Sequence, residues 1–355
     1  MSGKSLTGSI AFRLGAGAIA WLVLITALHL ALNREDKAAN RIVMGYMPVV
    51  TNLASPLVDY VTRGDDLYFE ARKFASFTEM GEAFRSGHIQ AAFIIAPLAV
   101  RLFEQGVPLK IVYIGNRHES TMVMRTGAHC ETPADLIGKK IAVPLRYSGH
   151  FLALKRYMRT HGLNDAQVQI LEIPPPEMPA ALASSEIDGY FVGEPFASKS
   201  METGAGKRFL DAESIWPKFI CNLLIVREEL IQSHPEWVRK LVSLAARSGL
   251  WARDHVEETV KIISGYWGQA PRFIQYAFSN PPGRYRFDLY APVPEEIDEL
   301  VREMLMAGLA EKQLDARRIM DDRFAGEAAK KPVHASDDIH SIKLNESGSQ
   351  AQAKR

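Results

Sequence analysis

Two cysteines in 355 residues, Cys130 and Cys221, are too few for a disulfide framework. They show no metal-ligand spacing such as C-x-x-C and read as small apolar fillers, with one bridge between them compatible with the sequence. Charge of one sign is also lacking. Lys and Arg number 42 against 41 Asp and Glu, for a net charge of +1, and no basic run is interleaved with aromatics. That excludes a nucleic-acid surface as the expected role. Catalytic signatures are absent as well: no H-E-x-x-H, G-x-S-x-G, G-x-x-x-x-G-K-[ST] or G-x-G-x-x-G occurs, and nothing calls for a cofactor. A nucleophile pairing His150 with Cys130 or Cys221 has no local signature. The expectation is a protein that is not an enzyme.

What is present is ordinary globular composition, 47% apolar and 23% charged, at a length that suits about two domains. The N-terminal residues 1–40 stand apart. Lys4 and Arg13 precede LGAGAIAWLVLITALHLAL, uncharged from Leu14 to Leu32, close to the ~20 residues of a spanning helix. Small-x-small cleavage pairs fit poorly after it, and no lipid-bearing cysteine follows. The segment is therefore expected to be an uncleaved signal anchor, a transmembrane helix that leaves the rest of the chain outside the cytoplasm. Residues 328–355 are polar and mixed in charge, the composition of a disordered tail. Within them Asn345-Glu346-Ser347 matches a glycosylation acceptor, a triplet frequent by chance.

Between these ends one unit is written twice. Glu79–Pro97 reads EMGEAFRSGHIQAAFIIAP and Glu177–Pro195 reads EMPAALASSEIDGYFVGEP, aligning without a gap. In the first copy Thr78 can cap a helix with Met80, Ala83 and Phe84 on one face, and Gly87 can stop it. The run Ile89–Ile95 then has the pattern of a strand covered on both faces. The second copy repeats this through Met178, Ala181 and Leu182 to Ile187–Val192. Upstream, each copy has a strand, a polar loop and a helix: Ile42–Tyr46 before Thr51-Asn52, and Ile141–Val143 before Arg146–His150. Such alternation predicts an α/β fold of two similar lobes, each a mostly parallel sheet wrapped by helices and hinged around a central cleft. The expected bounds are 41–125 for the first part of lobe 1, 126–222 for lobe 2, and 223–327 for a helical return completing lobe 1. Chain crossings are placed near Arg125–Cys130 and Cys221–Val226. In such sheets ligands sit off the carboxyl ends of the strands, where loops meet helix N-termini. Two facing lobes can close on a solute there by hinge motion.

Thr132–Val143 (TPADLIGKKIAV), the loop Tyr147-Ser148-Gly149-His150 and Ile173–Phe196 (IPPPEMPAALASSEIDGYFVGEPF) resemble the nitrate, bicarbonate and sulfonate group of substrate-binding proteins. The resemblance runs from about Ile42 to Glu311. It implies the type 2 periplasmic binding protein fold, a periplasmic location, a small anion or anionic organic solute as ligand, and the permease and ATPase of an ABC importer as partners. The N-terminal segment without a lipid cysteine departs from the usual members and adds a membrane contact. Two alternatives keep the same clamshell: a membrane-tethered solute sensor, and an enzyme of cofactor-precursor synthesis. Against the second, relatives with that chemistry use a cysteine-rich motif that two isolated cysteines do not supply.

The expected ligand-binding residues are the loop ends. Ser148, Gly149 and His150, with Tyr147 before them, lie between a strand and a helix start, where backbone N–H groups and the helix dipole attract anions. In the similar family this loop contacts the ligand; the bland reading is that Ser148 merely caps the helix. Thr51 and Asn52 hold the matching place in the first lobe, with turn chemistry as their plain alternative. Ala96, Pro97, Gly193 and Glu194 end later strands on the same rim. Glu194 suits a cation accompanying the ligand, a donor on the ligand, or nearby backbone. Arg146, His118-Glu119, Trp216 and Asn222 are weaker candidates, more often surface, loop or core. No metal is expected.

Overall fold

A computed structural model of the chain describes residues 6–32, 40–328, 333 and 338–343. Residues Met1–Arg41 and Ile42–Arg355 form two separate compact units. In the first, Leu6–Leu32 is one α-helix, and its side chains from Leu14 to Leu28 are exposed. Among the described residues no helix is long and apolar enough to cross a membrane, so the expected transmembrane helix is not supported.

The second unit contains two five-stranded sheets of the same plan. β1 (Arg41–Tyr46), β2 (Tyr68–Lys73), β3 (Ala91–Ile95) and β4 (Leu109–Ile114) belong to the first; β5 (Ser120–Arg125), β6 (Lys140–Val143), β7 (Gln169–Glu172), β8 (Gly189–Gly193) and β9 (Gly206–Asp211) make the second; β10 (Asn222–Arg227) returns to the first. The orders are β2-β1-β3-β10-β4 and β7-β6-β8-β5-β9. In each, the strand that arrives from the other lobe inserts antiparallel between two strands of its host: β10 between β3 and β4, β5 between β8 and β9. The pairs β1–β3, β6–β7 and β6–β8 are parallel. The sheets are thus mixed rather than mostly parallel. The first crossing falls at residues 115–119 and the second at 212–221. Ser120–Arg125, expected in the first lobe, pairs in the second sheet, because an apolar strand pattern carries no direction and no partner.

The repeat is real in structure. Helix Phe77–Arg85 leads into β3, and helix Met178–Ala183 leads into β8. Ser76, not Thr78, caps the former, its Oγ accepting from Glu79 N at 3.1 Å. Gly87 follows with φ of 81°, the left-handed conformation that ends a helix without a Cβ clash. The unbroken apolar runs are explained by two-sided burial. Along β3 and β10, Ala92, Ile94, Leu223 and Ile225 join a core that continues into lobe 2. Ala91, Phe93, Leu224 and Val226 face the opposite core under helix Pro235–Asp254 and its neighbours.

The helical return does more than cover lobe 1. Arg156 and Arg159 of lobe 2 pair with Glu299 and Glu303 at 2.7 and 3.0 Å, and Arg284 pairs with Glu213 at 2.8 Å. At its end, part of the expected tail is ordered: residues Ile339–Ile342 form a 3₁₀ turn with Ile339 and Ile342 buried, held by Arg247 Nε on the Ile342 carbonyl at 2.9 Å. The proposed glycosylation triplet lies outside the described residues.

Arg117, in the first crossing, is 4% exposed and donates to three separate segments. Nε reaches the Leu289 carbonyl (3.0 Å), Nη1 the Lys218 carbonyl in the second crossing (3.1 Å), and Nη2 the buried Glu296 carboxylate (2.6 Å). Removing one partner of a buried pair strands the other's charge. Arg117→Met is therefore expected to lower unfolding stability by about 3–5 kcal/mol in urea titration, and Arg117→Met with Glu296→Met to recover most of that loss. Equal losses in the single and double variants would show that the pair is not what holds this point.

Candidate functional site

The loop ends of the two lobes converge on the crossings and form a buried polar seam. The 3₁₀ turn Val50–Asn52 meets the end of β8, where Val50 N donates to the Glu194 carbonyl at 2.7 Å. Asn52 is fixed from two sides: its Nδ2 donates to the Met47 and Phe93 carbonyls, and its Oδ1 accepts from Asn222 Nδ2 at 2.6 Å. Gly115 sits where these backbones pass, since a Cβ there would lie 2.5 Å from the Thr51 carbonyl oxygen. Ala96 N donates to the Cys221 carbonyl at 3.0 Å, and Pro97 follows in the buried first turn of helix Ala96–Glu104.

From lobe 2, Ser148 caps helix Gly149–Thr160, its Oγ accepting from Phe151 N at 3.1 Å, so the bland reading of that hydroxyl describes its present bond. Gly149 packs against the second crossing; a Cβ would stand 2.9 Å from the Ile220 carbonyl oxygen and from the Phe219 ring. His150 lies between the rings of Phe191 and Phe219, with Nε2 at 2.9 Å from Ser120 Oγ. Ser120 Oγ donates to Glu119 Oε1 (2.6 Å), and Glu119 Oε2 accepts from Glu194 N (2.9 Å). Cys221 Sγ lies 3.7 Å from His150 Nε2 and donates to Asn222 Oδ1 at 3.3 Å. Thr51, Asn52, Ala96, Gly149, His150, Gly193 and Glu194 are thereby brought together. Tyr147 is not among them; it lies partly buried under the Arg101 guanidinium of lobe 1, 5.8 Å from its ring centre.

The seam's electrostatics are those of a dry interior. Burial raises Glu119 to about 7 against the pull of the Ser120 hydroxyl, raises Glu194, and lifts the Cys221 thiol well above its ordinary value. Burial lowers His150 to about 3, leaving the imidazole neutral. Glu119, His150 and Cys221 each offer a ligand atom, all within 4.8 Å of one another, and among the described residues they are the group able to hold a metal. Among the described residues, His150 Nδ1 is buried without a hydrogen-bond partner.

Beside the seam in sequence, Pro48 and Phe196 line a cavity of about 610 Å³. Its walls come from lobe 1 (Lys73, Phe74, Glu79), lobe 2 (Pro176, Lys199) and the helical return (Trp267, Gln269, Phe273). Lys73 Nζ donates to the Trp267 carbonyl at 3.3 Å, and Lys199 Nζ sits 5.8 Å from the Phe273 ring centre. Aromatic walls with two ammonium groups suit an anionic head on a small apolar body. The sequence reading missed this lining. Lys73, Lys199 and Trp267 carry no local signal and are joined only by the fold.

Gly149 offers a test of how tightly the lobes meet. Gly149→Ala is expected to lower stability by about 1–3 kcal/mol, since the carbonyl it meets cannot rotate away. A thermal melt unchanged from the parent would mean that the seam is looser than these contacts require.

The Escherichia coli taurine-binding periplasmic protein is 26% identical over 239 residues, 64% of this chain and 73% of that one. Two solved structures share the fold. The ligand-binding component of an ABC-type import system from Staphylococcus aureus, with zinc bound, is 20% identical at a TM-score of 0.73, covering 82% of this chain and 100% of that one. The periplasmic nitrate-binding protein NrtA from Synechocystis is 15% identical at 0.72, covering 82% and 89%. At a lower TM-score of 0.57 the fold also carries the desulfurization enzyme DSZB, 15% identical over 81% of this chain and 98% of that one. The model of the NMT1-like family matches residues 26–264, and the chain belongs to that family.

Proposed function

We propose that the protein is the solute-binding component of an ABC importer. It captures a small anion or anionic organic solute between its lobes in the periplasm and delivers it to a membrane permease driven by an ATPase. The observation that carries this reading is the cavity in which both lobes and the helical return meet around Lys73 and Lys199. A ligand there touches every part that moves on closure, so its binding favours the closed form. The taurine-binding relative supports a sulfonate-type head. We assign that head to Lys73 and Lys199. Thr51 and Glu194 are buried in the seam and are assigned to closing it. Asn52, Ala96, Pro97, Gly193 and the loop Tyr147–His150 shape and close the seam. Binding rather than catalysis is supported by the burial of Cys221 and His150, the pair the sequence offers for nucleophilic chemistry.

Calorimetry of the purified protein against taurine, alkanesulfonates, nitrate and bicarbonate tests this directly. Saturable binding is expected, strongest for an organic sulfonate. Lys199→Met and Lys73→Met are each expected to weaken it about 10- to 100-fold, the ~1.5–3 kcal/mol of a charged hydrogen bond. A well-folded protein that binds none of these solutes would overturn the proposal.

Attachment to the membrane is a separate proposal, supported by the exposed apolar side chains between Leu14 and Leu28. Carbonate washing of membranes checks it: a tethered chain stays in the pellet, and full release into the supernatant counts against a tether.

A further inference from the structure

The cluster at the crossings has a chemistry that anion capture does not use. Glu119 lies on the first crossing, Cys221 at the end of the second, and His150 in the first turn of helix Gly149–Thr160 of lobe 2. They supply one oxygen, one sulfur and one nitrogen, mutually within 4.8 Å, and all three are buried. We propose that Glu119, His150 and Cys221 form a binding site for a borderline-soft divalent transition-metal ion of the Zn²⁺ type. The site is distinct from the anion cavity and independent of the solute reading.

Three features point to this class of ion. The donor set mixes imidazole, thiolate and carboxylate, the ligands zinc-type ions share, and it lacks the all-oxygen shell of Ca²⁺ or Mg²⁺. The spacing is right: metal–sulfur and metal–nitrogen bonds of about 2.3 and 2.0 Å in a tetrahedron separate the two atoms by roughly 3.5 Å. Cys221 Sγ and His150 Nε2 are 3.7 Å apart. Charge also balances. One carboxylate and one thiolate neutralise a divalent ion, so the loaded site carries no net charge into a buried place, where an unbalanced ion would be costly.

The surroundings allow the exchange. Ser120 Oγ now bridges Glu119 Oε1 and His150 Nε2, and the metal's bonds replace both of its contacts. Glu119 keeps its second oxygen on Glu194 N, which orients the carboxylate. His150 Nε2 now donates its proton to Ser120 Oγ; when Nε2 gives its lone pair to the ion, that proton passes to Nδ1, which has no partner among the described residues. The Cys221 thiol proton, now directed at Asn222 Oδ1, leaves to solvent. The ion enters while the lobes are apart and, once bound, ties both crossings to lobe 2.

Co²⁺ titration of the full chain, stripped of metal with a chelator, is the test. One equivalent is expected to give the near-ultraviolet sulfur-to-cobalt band and the visible bands of a tetrahedral site, with Zn²⁺ displacing both. Cys130→Ser should leave the spectrum unchanged. Cys221→Ser should abolish the sulfur band, and His150→Ala should weaken binding at least 100-fold. Parent protein with no sulfur-to-cobalt band overturns the proposal, and needs no variant to fold. A band that survives Cys221→Ser, or disappears with Cys130→Ser, overturns it as well. Since the parent spectrum is read without any solute, its failure leaves the importer reading standing, and failure of the sulfonate titration leaves this one standing.

Discussion

Everything in the two-lobed body depends on how the two chain crossings are held together. Arg117 does this with one guanidinium, spending its donors on the other crossing, on the backbone at Leu289 and on a carboxylate from helix Pro294–Met306. Planar, always charged and able to bond in several directions, arginine is suited to a junction where segments from far apart in sequence meet. Asn222 and Asn52 continue the same task one layer in, linking the start of β10, where the second crossing ends, to the first loop of lobe 1. The loop ends are therefore held to fixed places around the crossings, and the cavity beside them keeps walls from three parts of the chain.

The seam and the cavity divide the work along a physical line. The seam is buried and carries two carboxyl groups, Glu119 and Glu194, with the Arg284 guanidinium on the Ser120 carbonyl beside them. The cavity is open, aromatic and carries two lysines with one glutamate. The proposed function assigns the anion to the second. The sequence placed binding at the loop ends, and in the fold those ends are mostly spent on one another.

Much of the architecture was legible because two-sided burial writes itself as unbroken apolar runs. Ile89–Ile95 and Ile187–Val192 are visible for that reason, as are Gly87 and Gly162 with their positive φ after helices. Strand direction was not legible, so Ser120–Arg125 fell in the wrong lobe. Ser76 and Thr78 are both good caps, and only the backbone decides between them. The partners Glu119, His150 and Cys221 lie 31 and 71 positions apart in sequence, and no periodicity links them. Of the expected site residues, His150 and Glu194 lie in the seam for the reason given, strand ends meeting helix starts, whereas Tyr147 packs beneath Arg101.

β3 and β4 are consecutive in the chain but are not neighbours in the sheet; the slot between them belongs to β10. During synthesis that slot stays empty until the whole of lobe 2 has been made and Asn222–Arg227 emerges. The first lobe cannot close its hydrogen-bond ladder early, however stable its helices are. A nascent chain of this design stays incompletely folded until late, which is the condition in which a polypeptide can still be threaded through a narrow translocation channel.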